Sequence, residues 1–169
     1  MIIFFGENGS NAVNLINLKM PIKAGITNKK NSKALRFFKE NNIKTFTIDN
    51  HSNLEEILSS IEHKLIVLVG YMKLLPKNIV VKYKIVNLHP SLLPEHKGIN
   101  AFENSFISKT GMGITLHWVN EGLDEGEIIF QEKLNYESLD FNTAKSLLKY
   151  YEYIRLPQWL SYIYSQEIS

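Results

Sequence analysis

The chain has 169 residues, 44% of them hydrophobic, a length and composition that fit one compact domain with a substantial core over residues 1–169. The formal net charge of +2 gives no electrostatic reason to expect nucleic acid or an anionic membrane as the main partner. The sequence contains no cysteine, which excludes disulfides and thiolate chemistry. The apolar run at its start is interrupted by Gly6 and is too short for a signal peptide or a membrane span, so we expect a cytoplasmic protein.

Short apolar runs and amphipathic stretches alternate through the first half of the chain. Four runs have the composition of buried parallel strands, at residues 2–5, 22–27, 44–48 and 65–69. Between them, apolar residues recur at helical spacing after residue 12, around 34–38 and over 53–61. This alternation predicts an α/β fold with a doubly wound, mostly parallel central sheet and helices on both faces.

A glycine-bearing turn joins the first predicted strand to the first predicted helix and contains Gly9, Ser10 and Asn11. Such a turn presents free backbone N–H groups and the positive end of a helix dipole, an arrangement that can bind a phosphate. Ser10 and Asn11 are also common helix caps, and capping alone would explain both residues.

The segment 70–76 follows the fourth predicted strand. Met72, Leu74 and Leu75 are apolar, so packing against the core is one interpretation of this segment. Because open α/β sheets bind ligands beyond the C-terminal ends of their strands, the alternative is a wall for a flat heteroaromatic ring.

The stretch 85–98 has the strongest signs of an active site. Residues 85–89 alternate as a strand does, which places Asn87 and His89 on one face. Pro90 ends the strand because it has no N–H for the ladder. An amide and an imidazole at the C-terminal end of a strand fit a ligand site, although an isolated Asn-x-His is also common at ordinary strand ends.

The second half of the chain adds a possible helix over 99–108 and two further predicted strands, 114–119 and 128–134. The loop 120–126 joins these strands, and its length and two glycines indicate a functional loop rather than a minimal turn. A helical pattern runs over 141–164, and we expect Pro157 to kink or divide it.

These motifs together resemble the 10-formyltetrahydrofolate-dependent formyltransferase family. The resemblance is carried by N-L-H-P-S-L-L-P from Asn87, by Gly98, by G-x-T-L-H ending at His117 and by L-D-E-G-E-I-I from Leu123. It covers nearly the whole chain and implies a Rossmann-like formyltransferase fold. It is closest to the enzymes that formylate phosphoribosylglycinamide in purine biosynthesis, with 10-formyltetrahydrofolate as co-substrate.

The resemblance implies roles for three residues in direct formyl transfer. An amine that attacks a formyl amide forms a tetrahedral intermediate with negative charge on the former formyl oxygen. Asn87 would donate to this oxyanion, His89 would donate a hydrogen bond or shuttle a proton, and Asp124 would orient His89 or relay protons. No metal is required, although a metal site from His89, Asp124 and His117 is an alternative. The sequence assigns no task to His96.

Two further groups of residues match binding segments of the family. The segments that enclose the pterin ring of folate are Met72, Lys73, Leu74 and Leu75, together with Val119, Asn120, Glu121, Gly122 and Leu123. The residues expected at the phosphorylated acceptor are Gly9, Ser10, Asn11, Lys149 and Glu152. Small molecules are therefore the expected partners, with the oligomeric state open between monomer and homodimer.

The sequence departs from the family pattern mainly around the acceptor. Ile99-Asn100-Ala101-Phe102 replaces a histidine-containing segment, and Lys149 stands where a glutamine is expected. The segment 98–106 also resembles formyltransferases that modify nucleotide-linked amino sugars. Hydrolysis of formyltetrahydrofolate and a non-catalytic ligand-binding module are further alternatives.

Overall fold

The computed structural model describes residues 1–167, and these contain seven strands and six helices. The strands are β1 (Ile2–Phe5), β2 (Ala24–Thr27), β3 (Lys44–Thr47), β4 (Ile66–Val69), β5 (Ile85–His89), β6 (Gly113–Trp118) and β7 (Ile128–Lys133). The helices are α1 (Ser10–Asn17), α2 (Ala34–Glu40), α3 (Leu54–Ser59), α4 (Lys77–Lys82), α5 (Ala101–Ser108) and α6 (Phe141–Glu167).

All seven strands belong to one sheet, in the order β3-β2-β1-β4-β5-β6-β7. β1 pairs in parallel with β2 and β4, and β2 pairs in parallel with β3. β6 and β7 are antiparallel. The predicted α/β class with a mostly parallel sheet is therefore confirmed.

The chain divides into two compact units, one of residues 1–87 and 119–121 and the other of residues 88–118 and 122 onward. A single domain over residues 1–169 remains a prediction. Among the described residues, no helix combines the length and the apolar character that a membrane crossing requires.

The first unit is built around β1, whose four residues are completely buried. Phe5 stacks on Phe38 of α2 with ring centroids 4.8 Å apart, whereas Phe4 packs edge-on against Tyr71 at 5.1 Å. Successive residues of a strand point to opposite faces, so these contacts show that both faces of β1 are covered. Gly25 on β2 makes room for α2, because a Cβ at this position would lie 2.4 Å from the Phe38 ring.

The second unit contains β6, β7, α5 and α6. α6 is continuous through Pro157, so Pro157 does not divide this helix, and the alternative of a kink remains a prediction. Leu148, Leu156 and Leu160 are buried on both sides of the proline. Burial of an apolar face supplies most of a helix's stability in a folded protein, which explains why the helix tolerates the missing N–H.

Other differences from the predicted elements are small. α4 was not predicted, because its six residues are too few to show a helical period. β2 begins two residues later than the predicted strand, and α5 begins at Ala101 rather than at residue 99.

Candidate active site

His89 ends β5 and is almost completely buried, with 3% of its surface exposed. Its Nε2 lies 2.9 Å from the backbone carbonyl oxygen of His96, and its Nδ1 lies 3.4 Å from Oδ2 of Asp124. Both ring nitrogens of the predicted catalytic histidine therefore face defined groups within its own unit.

Asp124 lies in the loop between β6 and β7 and has a positive φ of 51°. Its Oδ2 accepts a hydrogen bond from the backbone N–H of Gly98 over 2.8 Å, and its Oδ1 lies 3.5 Å from Nε2 of His117. The structure thus brings Asp124 close to His89, and the catalytic roles of the two residues remain predictions.

His117 is a further neighbour of Asp124, and the sequence assigned its side chain a role only in the metal alternative. It is 1% exposed, and its Nδ1 lies 2.9 Å from the carbonyl oxygen of Trp118. The pairing of β6 with β7 shifts register between Leu116 and His117, an irregularity that often redirects a side chain. Within residues 1–167, no group of three or more His, Cys, Asp or Glu side chains is arranged to hold a metal ion, so the metal alternative gains no support.

The surroundings of His89 and Asp124 favour a neutral imidazole beside an ionised carboxylate. Burial lowers the pKa of His89 below its ordinary value of 6.5 and outweighs the opposite effects of Asp124 and of the His96 carbonyl. Burial alone would raise the pKa of Asp124, but hydrogen bonds from His117 and Gly98 and the nearby histidine charges lower it overall. At neutral pH the pair is therefore a base supported by an anion.

A buried polar network holds the segment that follows His89. Thr115 donates to the carbonyl of Ser91 over 2.6 Å and accepts from the N–H of Leu93 over 3.1 Å. Gln131 donates to the Leu93 carbonyl over 2.8 Å and to the Thr115 hydroxyl over 3.0 Å. These bonds tie the backbone of the segment after His89 to β6 and β7. The position of His89 is restricted as a result.

Asn87, the predicted oxyanion donor, is half-buried on β5 two residues before His89. Residues two apart on a strand point to the same face, as the sequence pattern indicated.

The first unit carries the predicted phosphate turn. Gly9 has a left-handed φ of 58° and occupies the cap of α1, which has no side-chain cap bond. Ser10 and Asn11 lie within α1 and do not occupy its cap position. A Cβ at Gly9 would lie 2.4 Å from the Ala34 Cβ, so the turn requires glycine for space as well as for conformation. Asn11 is buried and Ser10 is half-buried.

The same unit carries most of the predicted folate segments. Met72 is 63% exposed and Leu74 is 73% exposed, so core packing does not explain these two side chains. Leu75 does pack against the core of the unit, as that interpretation expected, and so does Val119. Exposed apolar side chains beside a strand end fit the alternative of a wall for a flat ring.

The remaining folate positions are held mainly by polar contacts or left exposed. Lys73 donates to the Asp49 carbonyl over 2.7 Å, and Glu121 pairs with Lys77 at 2.8 Å. Asn120 is exposed, and Gly122 is half-buried. Leu123 is 51% exposed.

In the second unit, the predicted acceptor residues Lys149 and Glu152 contact each other on α6. The Lys149 ammonium donates to the Glu152 carboxylate, which is buried, whereas Lys149 is half-buried.

Residues 6–149 match the model of the formyl transferase family. The chain belongs to this family. Among its curated relatives, the phosphoribosylglycinamide formyltransferase of Bacillus subtilis is 43% identical over 82 residues, which are 47% of this chain and 42% of that protein. The methionyl-tRNA formyltransferase of Caldicellulosiruptor saccharolyticus is 41% identical over 88 residues, which are 50% of this chain and 28% of that protein. The chain thus spans less than half the length of these two relatives.

Solved structures resemble nearly all of this chain. The phosphoribosylglycinamide formyltransferase of Bacillus halodurans is 27% identical and has a TM-score of 0.89, with 98% of this chain and 96% of that chain covered. The corresponding protein of Campylobacter jejuni is 28% identical and has a TM-score of 0.88, with 97% and 98% covered.

Proposed function

We propose that this formyl transferase moves a formyl group from 10-formyltetrahydrofolate to the primary amine of phosphoribosylglycinamide, a step of purine biosynthesis. The observation that carries the proposal is the Asp124 carboxylate, held by the Gly98 N–H at 2.8 Å and placed 3.4 Å from Nδ1 of the buried His89. Such a pair suits the proton movements that formyl transfer to an amine requires.

The proposed chemistry is direct attack without a covalent enzyme intermediate. The neutral amine attacks the formyl carbon, and negative charge develops on the former carbonyl oxygen. Asn87 donates its side-chain N–H to this oxyanion, a contribution worth about 2.7–4 kcal/mol of barrier at comparable sites. His89 takes the proton of the attacking amine and returns it to the leaving nitrogen, while Asp124 stabilises the imidazolium between these steps.

The binding assignments follow the segments described above. In this proposal the folate ring contacts Met72, Lys73, Leu74 and Leu75, together with Val119, Asn120, Glu121, Gly122 and Leu123. The phosphorylated acceptor contacts Gly9, Ser10, Asn11, Lys149 and Glu152. Support comes from the exposure of Met72 and Leu74 and from the glycine-dependent turn at Gly9.

The ribotide is the favoured acceptor because of the extent of the structural match. The Bacillus halodurans protein, named for this reaction, is covered over 96% of its length, whereas the curated methionyl-tRNA enzyme is covered over 28%. The proposal places the enzyme in the cytoplasm, as a monomer or homodimer that acts on small molecules.

A nucleotide-linked amino sugar is the second candidate acceptor. It is favoured by the segment after Gly98, where Ile99 is 65% exposed and Asn100, with a positive φ of 59°, directly precedes α5. Ile99 directly follows Gly98, whose backbone N–H holds Asp124. An exposed apolar side chain at this place alters the surroundings expected for the ribotide.

The deciding experiment measures formyl transfer from 10-formyltetrahydrofolate to four acceptors in parallel: phosphoribosylglycinamide, a nucleotide amino sugar, methionyl-tRNA and water alone. Turnover with the ribotide supports the proposal, and turnover only with another acceptor replaces its acceptor half. His89→Asn should abolish measurable transfer, whereas His63→Asn, a matched change in the other unit, should not. Full activity in His89→Asn would remove His89 from the mechanism.

A further inference from the structure

His96 makes contacts through both its backbone carbonyl and its ring, and the proposed chemistry uses neither group. Its backbone carbonyl lies 2.9 Å from Nε2 of His89. A carbonyl oxygen can only accept, so this distance requires a hydrogen on Nε2. The other ring nitrogen of His89, Nδ1, lies 3.4 Å from Asp124, longer than the roughly 2.7–2.9 Å of a charge-assisted bond. The carbonyl contact is therefore the one that decides the tautomer of the neutral His89 ring.

The position of this carbonyl depends on the His96 side chain. His96 has a positive φ of 53°, a conformation that needs support from its surroundings in a non-glycine residue. Its Nε2 lies 3.1 Å from both the Ser108 hydroxyl and the Thr110 hydroxyl, which are 3.0 Å from each other. The ring is thus tied to the end of α5, and its backbone oxygen is held toward His89.

Close packing restricts the same turn. A Cβ added at Gly111 would lie 2.9 Å from Cδ2 of His96, so the backbone at Gly111 passes directly beside the ring. Ser91 donates to the carbonyl of Glu95 over 2.9 Å, which ties the turn to the segment that follows β5. The His96 carbonyl therefore belongs to a turn that is held at several points.

We propose that His96 is a positioning residue for His89. Its carbonyl holds His89 in the tautomer with hydrogen on Nε2, and its ring, anchored by Ser108 and Thr110, holds the carbonyl in place. Nδ1 is then the nitrogen that accepts the proton of the attacking amine, directly beside the Asp124 carboxylate. The tautomer concerns the protein without substrate, whereas its catalytic consequence rests on the proposed function.

The test reads the tautomer directly. Long-range ¹H–¹⁵N spectra of the ¹⁵N-histidine-labelled protein near pH 8, with His89 assigned through the His89→Asn variant, should show hydrogen on Nε2. His96→Asn keeps a residue type that tolerates positive φ but is too short to reach both hydroxyls. Without the anchored ring, the carbonyl of residue 96 should no longer hold its hydrogen bond from His89. Loss of that bond should lower the ratio of His89 with hydrogen on Nε2 to His89 with hydrogen on Nδ1 roughly fivefold. Hydrogen on Nδ1 in the wild type, or an unchanged ratio in His96→Asn, would overturn the proposal.

A second pair of variants separates anchoring from general damage. Ser108→Ala/Thr110→Val removes both hydroxyls and should change the ratio as His96→Asn does. The exchange Ser108→Thr/Thr110→Ser keeps both hydroxyls and should retain the wild-type ratio, with thermal melts showing that every variant is folded. Equal ratios in the two double variants would contradict the anchoring role.

Kinetics then test the catalytic consequence. In His96→Asn, kcat for the acceptor identified above should fall about fivefold to tenfold, with KM for both substrates nearly unchanged. A rise in KM at constant kcat would contradict a role through His89. If the wild type transfers no formyl group at all, the proposed function fails, while the spectra still decide whether His96 sets the tautomer.

Discussion

The backbone N–H of Gly98 donates to Oδ2 of Asp124 over 2.8 Å, across 26 residues of sequence. This bond ties the loop between β6 and β7 to the segment that follows β5. The same oxygen lies 3.4 Å from Nδ1 of His89, so a main-chain group orients the carboxylate that faces this histidine. Only a proline at position 98 would delete that donor, so the charge of Asp124 can be tested separately from its position.

Asp124→Asn should remove the charge and leave the position nearly unchanged. The amide oxygen still accepts from the Gly98 N–H, and asparagine tolerates the positive φ of 51°. We expect kcat to fall by about 10²-fold or more, the usual scale for loss of acid-base support. Steady-state kinetics with the accepted substrate measure this loss, and a thermal melt checks the fold.

Glu125→Gln is the matched control for that variant. Glu125 is the exposed neighbour of Asp124 and pairs with Lys97 at 3.0 Å. Glu125→Gln removes one negative charge, as Asp124→Asn does. Its kcat should stay close to that of the wild type. Similar losses in both variants would point to the overall charge of the loop rather than to Asp124.

Asn11→Ala should weaken binding of the phosphorylated acceptor. Asn11 is buried in the first turn of α1, directly after the turn formed by Gly9 and Ser10. Loss of a hydrogen bond to a charged group costs about 1.5–3 kcal/mol, so KM for the acceptor should rise at least tenfold, with kcat less affected. Asn17→Ala, at the exposed end of the same helix, should leave KM unchanged. Unchanged acceptor KM in Asn11→Ala would remove the phosphate assignment of this turn.

Local patterns in the sequence were sufficient for the parts of the site that lie on regular elements. The alternation over 85–89 placed His89 at a strand end, and the glycine-bearing turn before α1 was identified from its composition. Both signals depend on residues within a few positions of each other, where backbone geometry follows directly from residue type.

The remaining parts depend on contacts that no local pattern records. His117 comes to Asp124 at a register shift between β6 and β7, and His96 reaches His89 through a backbone oxygen in a positive-φ turn. Main-chain acceptors carry no residue-type signal, so the sequence left His96 without a task. Pro157 shows the reverse case, because burial of α6 overrides a strong local signal for a helix break.

Thr115→Val should destabilise the protein although the two side chains have almost the same shape. The Thr115 hydroxyl is completely buried, donates to the Ser91 carbonyl and accepts from the Leu93 N–H and from Gln131. Unsatisfied buried partners cost about 1–3 kcal/mol in the free energy of unfolding, which urea denaturation measures. Thr47→Val, on an exposed position of β3, should change this free energy little. Equal effects of the two substitutions would show that the buried network contributes nothing measurable.

Stability should decrease as the pH falls from 8 to 5, in part because of His89. Burial, the largest effect, lowers the pKa of His89 in the folded state below its ordinary value of 6.5. The unfolded chain then takes up a proton at a higher pH than the folded chain does. Between these two pKa values the unfolded state holds more protons, so this contribution to stability is present above about pH 6.5 and is lost below it. The shift of the Asp124 pKa acts only in a more acidic range, below its ordinary value of 3.8.

His89→Asn should therefore flatten the dependence of the unfolding free energy on pH between 8 and 5, whatever its effect at pH 8. His51 supplies an internal comparison, because burial and the charge of Lys73 also lower its pKa. His51→Asn should remove a separate part of the pH dependence of the unfolding free energy. The double variant His51→Asn/His89→Asn should show the weakest pH dependence. Urea titrations at each pH give the free energies, with constant m-values as the check on two-state unfolding. A wild-type slope in His89→Asn would mean that the imidazole titrates alike in the folded and unfolded chains, and the neutral base proposed for formyl transfer would lose its electrostatic basis.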